Sequence, residues 1–249
     1  MKASHFIVLL FSLLLSACAT YQHPQTVNDA SQPIGPEIVV SDSPTAEAVA
    51  DLIAPYEVQL TAQMNREIGQ VAETMRKGRP ESGLGNWLGD LLQTAAEAVF
   101  PEQDIDFAVQ NYGGIRIPEL STGPLRVGSI YELMPFDNEL VLVEMNGFVL
   151  NEFIQHMASN GGWPVSKELR YRIEGNEAKD IEIKGVAIQF NRNYRVALPD
   201  YVANGGSDAS MLKDRKQIKC GQLIRDLLLK YAEQQKEALR PQLDGRVSK

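Results

Sequence analysis

The sequence predicts one folded domain of the α+β class. Apolar residues recur every three or four positions in some segments, which is the spacing of amphipathic helices, and they alternate or run together in shorter segments, as strands do. The two kinds of segment follow one another irregularly, without the regular strand and helix alternation of a doubly wound sheet. A hydrophobic content of 44% and a charged content of 22% are near globular averages, so we expect an ordinary core.

The first predicted helix covers residues 60–75, where five apolar residues recur at spacings of three or four. The periodic pattern starts just after Tyr56, so we place the folded domain at residues 56–249. Helical spacing returns at 87–99, 148–157 and 223–232, and strands are predicted at 105–109, 140–145, 169–173, 181–183 and 194–198.

The amino terminus has the order of a secretory signal peptide. Lys2 precedes an apolar run at residues 6–15 that is too short to span a bilayer as a helix. The sequence Leu-Ser-Ala-Cys that follows, ending at Cys18, resembles the lipobox of bacterial lipoproteins. This resemblance implies that residues 1–17 are removed and that Cys18 carries acyl chains that anchor the protein to a membrane. The alternative is an ordinary signal peptide with a chance cysteine.

Residues 18–55 are predicted to be a disordered tether. Between Cys18 and Tyr56 there is no Lys or Arg, and prolines recur among Gln, Ser, Thr, Asp and Glu. Such a composition buries too little apolar surface to offset chain entropy. Ala19 and Thr20 lack the acidic residue that retains lipoproteins at the inner membrane in enteric bacteria. We therefore expect a lipid-anchored protein of the bacterial cell envelope, at the outer membrane.

The charge and the histidine count bear on function. A formal net charge of −8 argues against nucleic-acid binding, which needs Lys and Arg to neutralise phosphates. The chain has three His, of which only His156 lies in the predicted domain, and no metal-binding His pattern occurs. A serine or cysteine nucleophile would lack a ready base. We expect no catalytic residue, no metal ligand and no bound cofactor in this chain.

Four motifs stand out in the domain: RPESGLGN at 79–86, NYGGIR at 111–116, MPFDN at 134–138 and LPDYVANGG at 198–206. In order and spacing they resemble the C-terminal domain of the 5'-nucleotidase family, and PQLDGR at 241–246 is similar to the family's closing segment. The resemblance extends from about Tyr56 to the C-terminus. It implies layered mixed sheets with flanking helices, and recognition of a nucleotide or nucleoside.

The second motif suits a polar, planar ligand. Gly113 and Gly114 permit a tight turn, so that Asn111 and Arg116 can project from the two ends of one short loop. An Asn amide donates to and accepts from a base edge, and an Arg stacks or donates to phosphate and ribose oxygens. Taken alone, the loop favours a structural hairpin with a surface Arg, and only the other motifs reverse that interpretation.

The resemblance also implies a clamp of two aromatic rings around a base, and it assigns these rings to Phe136 and Tyr201. The second ring is Tyr where many family members have Phe. The family commonly has Asp directly after the Gly-Gly pair, to hold ribose hydroxyls. This chain has Ser207 followed by Asp208, so we expect one of these two residues to take that place.

Family enzymes also carry an N-terminal metallophosphatase domain that binds two metals and cleaves the phosphoester. Here a signal and a tether take its place, so the resemblance transfers recognition residues and no catalytic residue. We expect the recognition half of a split 5'-nucleotidase, with divalent metals held by a separate metallophosphatase protein. The alternative is a non-catalytic envelope lipoprotein that binds nucleosides or a protein partner.

Overall fold

Residues 44–249 are described by the computed structural model of the chain, with side chains from residue 47 onward. The predicted signal peptide, Cys18 and most of the predicted tether lie outside the described residues. Residues 54–249 form one compact unit, and residues 44–53 of the other unit are the first part of a helix. No helix in the described range is both long and apolar enough to cross a membrane.

The helices begin at sequence signals. The Ser82 hydroxyl accepts a hydrogen bond from the Gly85 amide at 3.1 Å, and the Asn146 side chain accepts one from the Val149 amide at 3.0 Å. Both are N-caps that satisfy otherwise free N–H groups of the first turn. The α-helices of the described residues are α1 (Pro44–Asn65), α2 (Gly83–Val99), α3 (Val127–Leu133), α4 (Gly147–Ser159), α5 (Asp200–Ala203) and α6 (Ile224–Glu233).

The strands are β1 (Glu67–Val71), β2 (Met75–Arg76), β3 (Phe107–Ala108), β4 (Glu119–Leu120), β5 (Gly123–Arg126), β6 (Glu139–Asn146), β7 (Leu169–Glu174), β8 (Glu177–Ile183), β9 (Val186–Ala187), β10 (Asn193–Pro199), β11 (Gln217–Leu223) and β12 (Val247–Ser248). Two sheets have four strands each, in the orders β11-β6-β10-β3 and β12-β7-β8-β9. Two strand pairs, β1 with β5 and β2 with β4, complete the arrangement.

The β11-β6-β10-β3 sheet is covered on both faces. Along β6, Leu140 and Leu142 point into one core, which also contains apolar residues of α2 and α6. Val141 and Val143 point into a second core, shared with α4 and the other large sheet. This alternation is the period of two that a strand imposes on its side chains. The layers of mixed sheet and helix confirm the predicted α+β class.

Strand direction brings three loops to one edge of this sheet. β10 pairs in parallel with β3, so both strands end at the same edge. β6 runs antiparallel to β10, with Leu140 opposite Pro199, so β6 begins where β10 ends. The loops that follow β3 and β10, and the segment that precedes β6, therefore meet at this edge.

The helix predicted at 60–75 is wrong beyond Asn65, where α1 ends. Ile68 and Val71 lie in β1, and both are buried. Their spacing of three imitates a helix because β1 contains an irregularity near its start, where the register against β5 shifts. Met75 lies in β2.

The predicted tether is helical at residues 44–55, which form the start of α1. Pro44 occupies the first helical position, where a missing N–H costs nothing, and several alanines follow. Side chains 47–63 are exposed, so burial does not hold this helix. The other predicted helices and strands are present. The elements not predicted as such are α3, α5, β1, β2, β4, β5, β9, β11 and β12.

A buried arginine joins the chain's end to α2. The Arg246 side chain is 2% exposed, and its two terminal nitrogens contact the Asp90 carboxylate at 2.7 and 3.0 Å. The same guanidinium binds Asp244 and donates to the Val165 carbonyl. The hydrogen bond from Arg246 lowers the pKa of the Asp244 carboxyl group below its usual value. The closing motif is therefore a structural anchor.

We predict that Arg246→Met lowers the free energy of unfolding by about 2–3 kcal/mol, because two carboxylates lose their partner while keeping partial access to water. Arg76→Met is the matched control, since Arg76 is 74% exposed in its pair with Glu119, and should cost less than about 1 kcal/mol. Chemical denaturation measures both.

Because the folded-state pKa of Asp244 is lowered, the contribution of Asp244 to the free energy of unfolding is present at neutral pH and is lost as pH falls through that pKa. Equal effects of the two variants would contradict the anchor.

Candidate functional site

A cavity of about 300 Å³ opens at the sheet edge where the three loops meet. Its wall comes from the loop after β3, the segment before β6 and the loop that follows β10. The Asp200 carboxylate joins two of these segments, because it accepts hydrogen bonds from the amides of Glu139 and Tyr201. The lining residues are Asn111, Gly113, Gly114, Arg116, Phe136, Asn138, Tyr201 and Ser207.

The first loop turns through a short 3₁₀ segment at Tyr112–Gly114. The Gly114 amide donates to the Asn111 carbonyl at 2.9 Å, which closes the turn. A Cβ atom on residue 114 would lie 2.0 Å from the Gln110 side-chain nitrogen, so any residue other than glycine here would displace the Gln110 side chain. The turn leaves Asn111 and Arg116 on the wall of the same cavity, as the sequence predicts.

Two aromatic rings line the cavity from different segments. Phe136 is half-buried and Tyr201 is 49% exposed. The Arg116 guanidinium carbon lies 5.5 Å from the centroid of the Phe136 ring, within cation–π range. The Tyr201 ring rests against the backbone at residue 206, where a Cβ would lie 2.5 Å from the ring. Glycine at residue 206 therefore leaves room for the second ring.

Ser207 is held through all of its polar atoms except the hydroxyl hydrogen. Its amide donates to the Tyr201 hydroxyl at 3.2 Å, and its carbonyl accepts from His156 Nε2 at 2.9 Å. Its hydroxyl oxygen accepts from Asn111 Nδ2 at 3.0 Å. These contacts stabilise a backbone φ of 54°, which is unfavourable for a residue other than glycine. The cavity wall is thus rigid at Ser207.

Positive charge collects beside the first loop. The Arg79 guanidinium and the Lys77 ammonium lie 3.8 and 4.0 Å from the centroid of the Tyr112 ring. Lys77 also donates to the Ile115 carbonyl at 2.7 Å. Burial, and then the nearby charges of Arg79 and Arg116, lower the pKa of the Lys77 ammonium group. Within residues 47–249, none of these three cations forms an ion pair with a carboxylate, and no carboxylate lines the cavity.

The structure brings together seven of the eight predicted ligand residues. Asp208 is the exception, since it is exposed and does not line the cavity, and Ser207 occupies the wall. Asn138 lines the cavity without having been predicted, although it ends the third motif. His156, the one His of the predicted domain, is half-buried and donates to the Ser207 carbonyl. That the lining residues bind a ligand stays a prediction.

The wall offers both hydrogen-bonding groups and flat apolar surfaces. Amide, guanidinium and hydroxyl groups supply hydrogen bonds, and two rings supply flat apolar surfaces. Among the side chains that the structure describes, no group of three or more His, Cys, Asp or Glu is placed to hold a metal ion.

Comparison with known proteins agrees with the motifs. The family described as "5'-nucleotidase, C-terminal domain" matches residues 60–214, more than half of the chain. Protein UshA of Yersinia enterocolitica is 24% identical over 183 residues, which cover 65% of this chain and 33% of that protein. Cell wall protein Lmo0130 of Listeria monocytogenes is 26% identical over 173 residues, which cover 64% of this chain and 22% of that protein.

The fold is also found in solved structures. The crystal structure of a 5'-nucleotidase precursor from Thermus thermophilus matches 82% of this chain with a TM-score of 0.68 and 24% identity. The match covers 43% of that chain. This chain thus corresponds to a third or less of the two curated relatives and to less than half of the solved structure.

Proposed function

This chain belongs to the 5'-nucleotidase C-terminal domain family, and from that premise we propose that its cavity binds a nucleotide or nucleoside with the base between Phe136 and Tyr201. The observation that carries the proposal is the convergence of two aromatic rings, from separate segments, on one cavity that also exposes an amide and a guanidinium. Each ring offers a flat face to a base, and stacking tolerates the Tyr hydroxyl.

The charges favour an anionic ligand. Arg116 lines the cavity, and Lys77 and Arg79 add positive charge beside it without a carboxylate partner in the described side chains. Three cations held close together repel one another, so a phosphate group among them is stabilised. We place the phosphate of the nucleotide near Arg116.

We predict that Phe136→Ala and Tyr201→Ala each weaken AMP binding by about 1–3 kcal/mol, or roughly five- to a hundredfold, because each removes one stacking face. Tyr201→Phe should bind AMP nearly as well as the wild type. Phe148→Ala is the control, since Phe148 is 67% exposed and lies outside the cavity wall. Isothermal titration measures all four. Unchanged binding by either ring variant would contradict the clamp.

Arg116→Ala tests whether the Arg116 guanidinium contacts the phosphate or the ribose of the ligand. If its guanidinium meets phosphate, the variant should bind AMP about ten- to a hundredfold less tightly, while adenosine affinity changes less than about twofold. Arg76→Ala, which removes an exposed cation outside the cavity, should change neither affinity. The two ligands are titrated in parallel at fixed ionic strength. An equal loss for AMP and adenosine would place Arg116 on the ribose instead.

We propose further that hydrolysis of the bound nucleotide needs a separate metallophosphatase protein, which would hold the divalent metals. Two-metal phosphoester cleavage requires several converging His and carboxylate ligands. His156, the one His in the described residues, is engaged with the Ser207 carbonyl. The proposal is supported by the family membership and by a cavity wall made of recognition groups.

The purified chain with Mn²⁺ or Zn²⁺ should release no phosphate from AMP, and release should appear when the partner metallophosphatase is added. In the reconstituted reaction, Phe136→Ala should raise KM for AMP, whereas Phe148→Ala should not. Metal-dependent phosphate release by the chain alone, after contaminants are excluded, would overturn the proposal. Binding without any reconstituted activity would favour the alternative, a non-catalytic nucleoside-binding lipoprotein.

We place the protein in the bacterial cell envelope, at the outer membrane, anchored by lipid on Cys18. The sequence around Cys18 supports this, and one relative is named a cell wall protein. Cys18→Ser should move the protein from the membrane fraction to the soluble fraction, because it removes the attachment point of the acyl chains. Fractionation with immunoblotting measures the shift. Retention of the variant in washed membranes would contradict the anchor.

A further inference from the structure

Gln110 lies directly behind the cavity wall and is fully buried. Its side-chain nitrogen donates to Asn111 Oδ1 at 2.8 Å. Asn111 Nδ2 in turn donates to the Ser207 hydroxyl oxygen at 3.0 Å. The three side chains form a chain of hydrogen bonds that runs from the protein interior to the cavity.

The space for the Gln110 side chain depends on the absence of a side chain at Gly114. The Gln110 side-chain nitrogen lies 2.0 Å from the position that a Cβ atom on residue 114 would take. Gln110 Oε1 is buried and has no hydrogen-bond partner among the residues that the structure describes. A buried acceptor without a partner costs free energy, so the side chain is not explained by stability alone.

The orientation of the Gln110 and Asn111 side-chain amides determines which groups are left without a hydrogen-bond partner. Reversing the Asn111 amide alone would set its NH₂ group against the NH₂ group of Gln110, two donors face to face. Reversing both amides would leave the Gln110 NH₂ group buried without an acceptor. Buried N–H groups without partners are rarer in proteins than carbonyl groups without partners. The observed direction is therefore the favoured one.

We propose that Gln110 is a specificity-determining positioning residue that fixes the Asn111 amide so that an N–H donor, and not the carbonyl oxygen, is offered to the ligand. The inference rests on the proposed function of the cavity. With Oδ1 held by Gln110 and one Nδ2 hydrogen held by Ser207, the second Nδ2 hydrogen is left for the cavity. The cavity thus selects ligands that place a hydrogen-bond acceptor at this point.

The test uses adenosine and analogues that each lack one acceptor: 1-deaza-, 3-deaza-, 7-deaza-, 2'-deoxy- and 3'-deoxyadenosine. The wild type should bind at least one analogue about two- to tenfold less tightly than adenosine. Asn111→Ala should abolish that difference, which identifies the analogue that lacks the acceptor met by Asn111.

Gln110→Met is the decisive variant, because it keeps the length of the side chain and removes its polar atoms. The difference between adenosine and the identified analogue should fall below about twofold. The melting temperature should stay within a few degrees of the wild type, since a buried acceptor without a partner is removed as well. Gln93→Met is the matched control. Gln93 is also buried, but its side-chain nitrogen donates to Glu97 and to the Ile105 carbonyl and to no lining residue, so this variant should keep the wild-type difference.

The outcomes are distinct. If Gln110→Met keeps the full difference between the two ligands, or if it fails to fold, the positioning role is wrong. If the wild type binds adenosine but discriminates against no analogue, the inference fails while the proposed function stands. If the wild type binds neither adenosine nor AMP at millimolar concentration, the proposed function fails and the inference falls with it.

Discussion

Two strands that run in the same direction deliver the loops that follow them to the same edge of their sheet, and the cavity of this protein depends on one such pair. Val196 lies opposite Phe107 and Ala197 opposite Ala108 in the parallel pairing of β10 with β3. β6, antiparallel to β10, begins at that edge. Asn111 and Ser207, which lie 96 positions apart in sequence, therefore meet because the strands bring their loops together.

The burial of this sheet on both faces makes the edge a rigid platform. Apolar side chains alternate between two cores along β6, so a shift of the register by one residue would exchange the two sets. Polar contacts then set the fine geometry. Ser207, with its unfavourable φ, is held by Tyr201, His156 and Asn111. Strain of this kind persists only where the surrounding contacts determine it fully, as they do in many binding sites.

Electrostatics distinguishes the cavity from the rest of a chain with net charge −8. Arg116, Lys77 and Arg79 stand together, while many other Arg residues of the domain pair with carboxylates on the surface. A local positive site on an acidic protein supports the proposal of a small anionic ligand.

The sequence was sufficient where local pattern and tertiary packing agree. The stripe at 87–99 is one face of α2, and the alternation at 140–145 is β6. It misled at 60–75, because an irregular strand put Ile68 and Val71 at helical spacing. It also misled at 44–55, where α1 begins although its side chains from residue 47 onward are exposed.

For the site, the motifs were sufficient to identify lining residues that lie within a recognisable motif, such as Asn111 after β3 and Tyr201 after β10. They could not identify Gln110 or Lys77, whose positions depend on contacts with the loop at 111–116. Such contacts follow from the folded backbone and leave no periodic signal in the sequence. The sequence left open whether Ser207 or Asp208 lines the cavity. In the folded backbone it is Ser207.

The most direct measurement is a crystal structure of the protein with AMP. We expect the purine ring between Phe136 and Tyr201, within van der Waals contact of both rings, with the phosphate toward Arg116 and an acceptor atom within hydrogen-bond distance of Asn111 Nδ2. AMP bound elsewhere on the domain, or an empty cavity at saturating AMP, would contradict the assignment of this cavity as a nucleotide site.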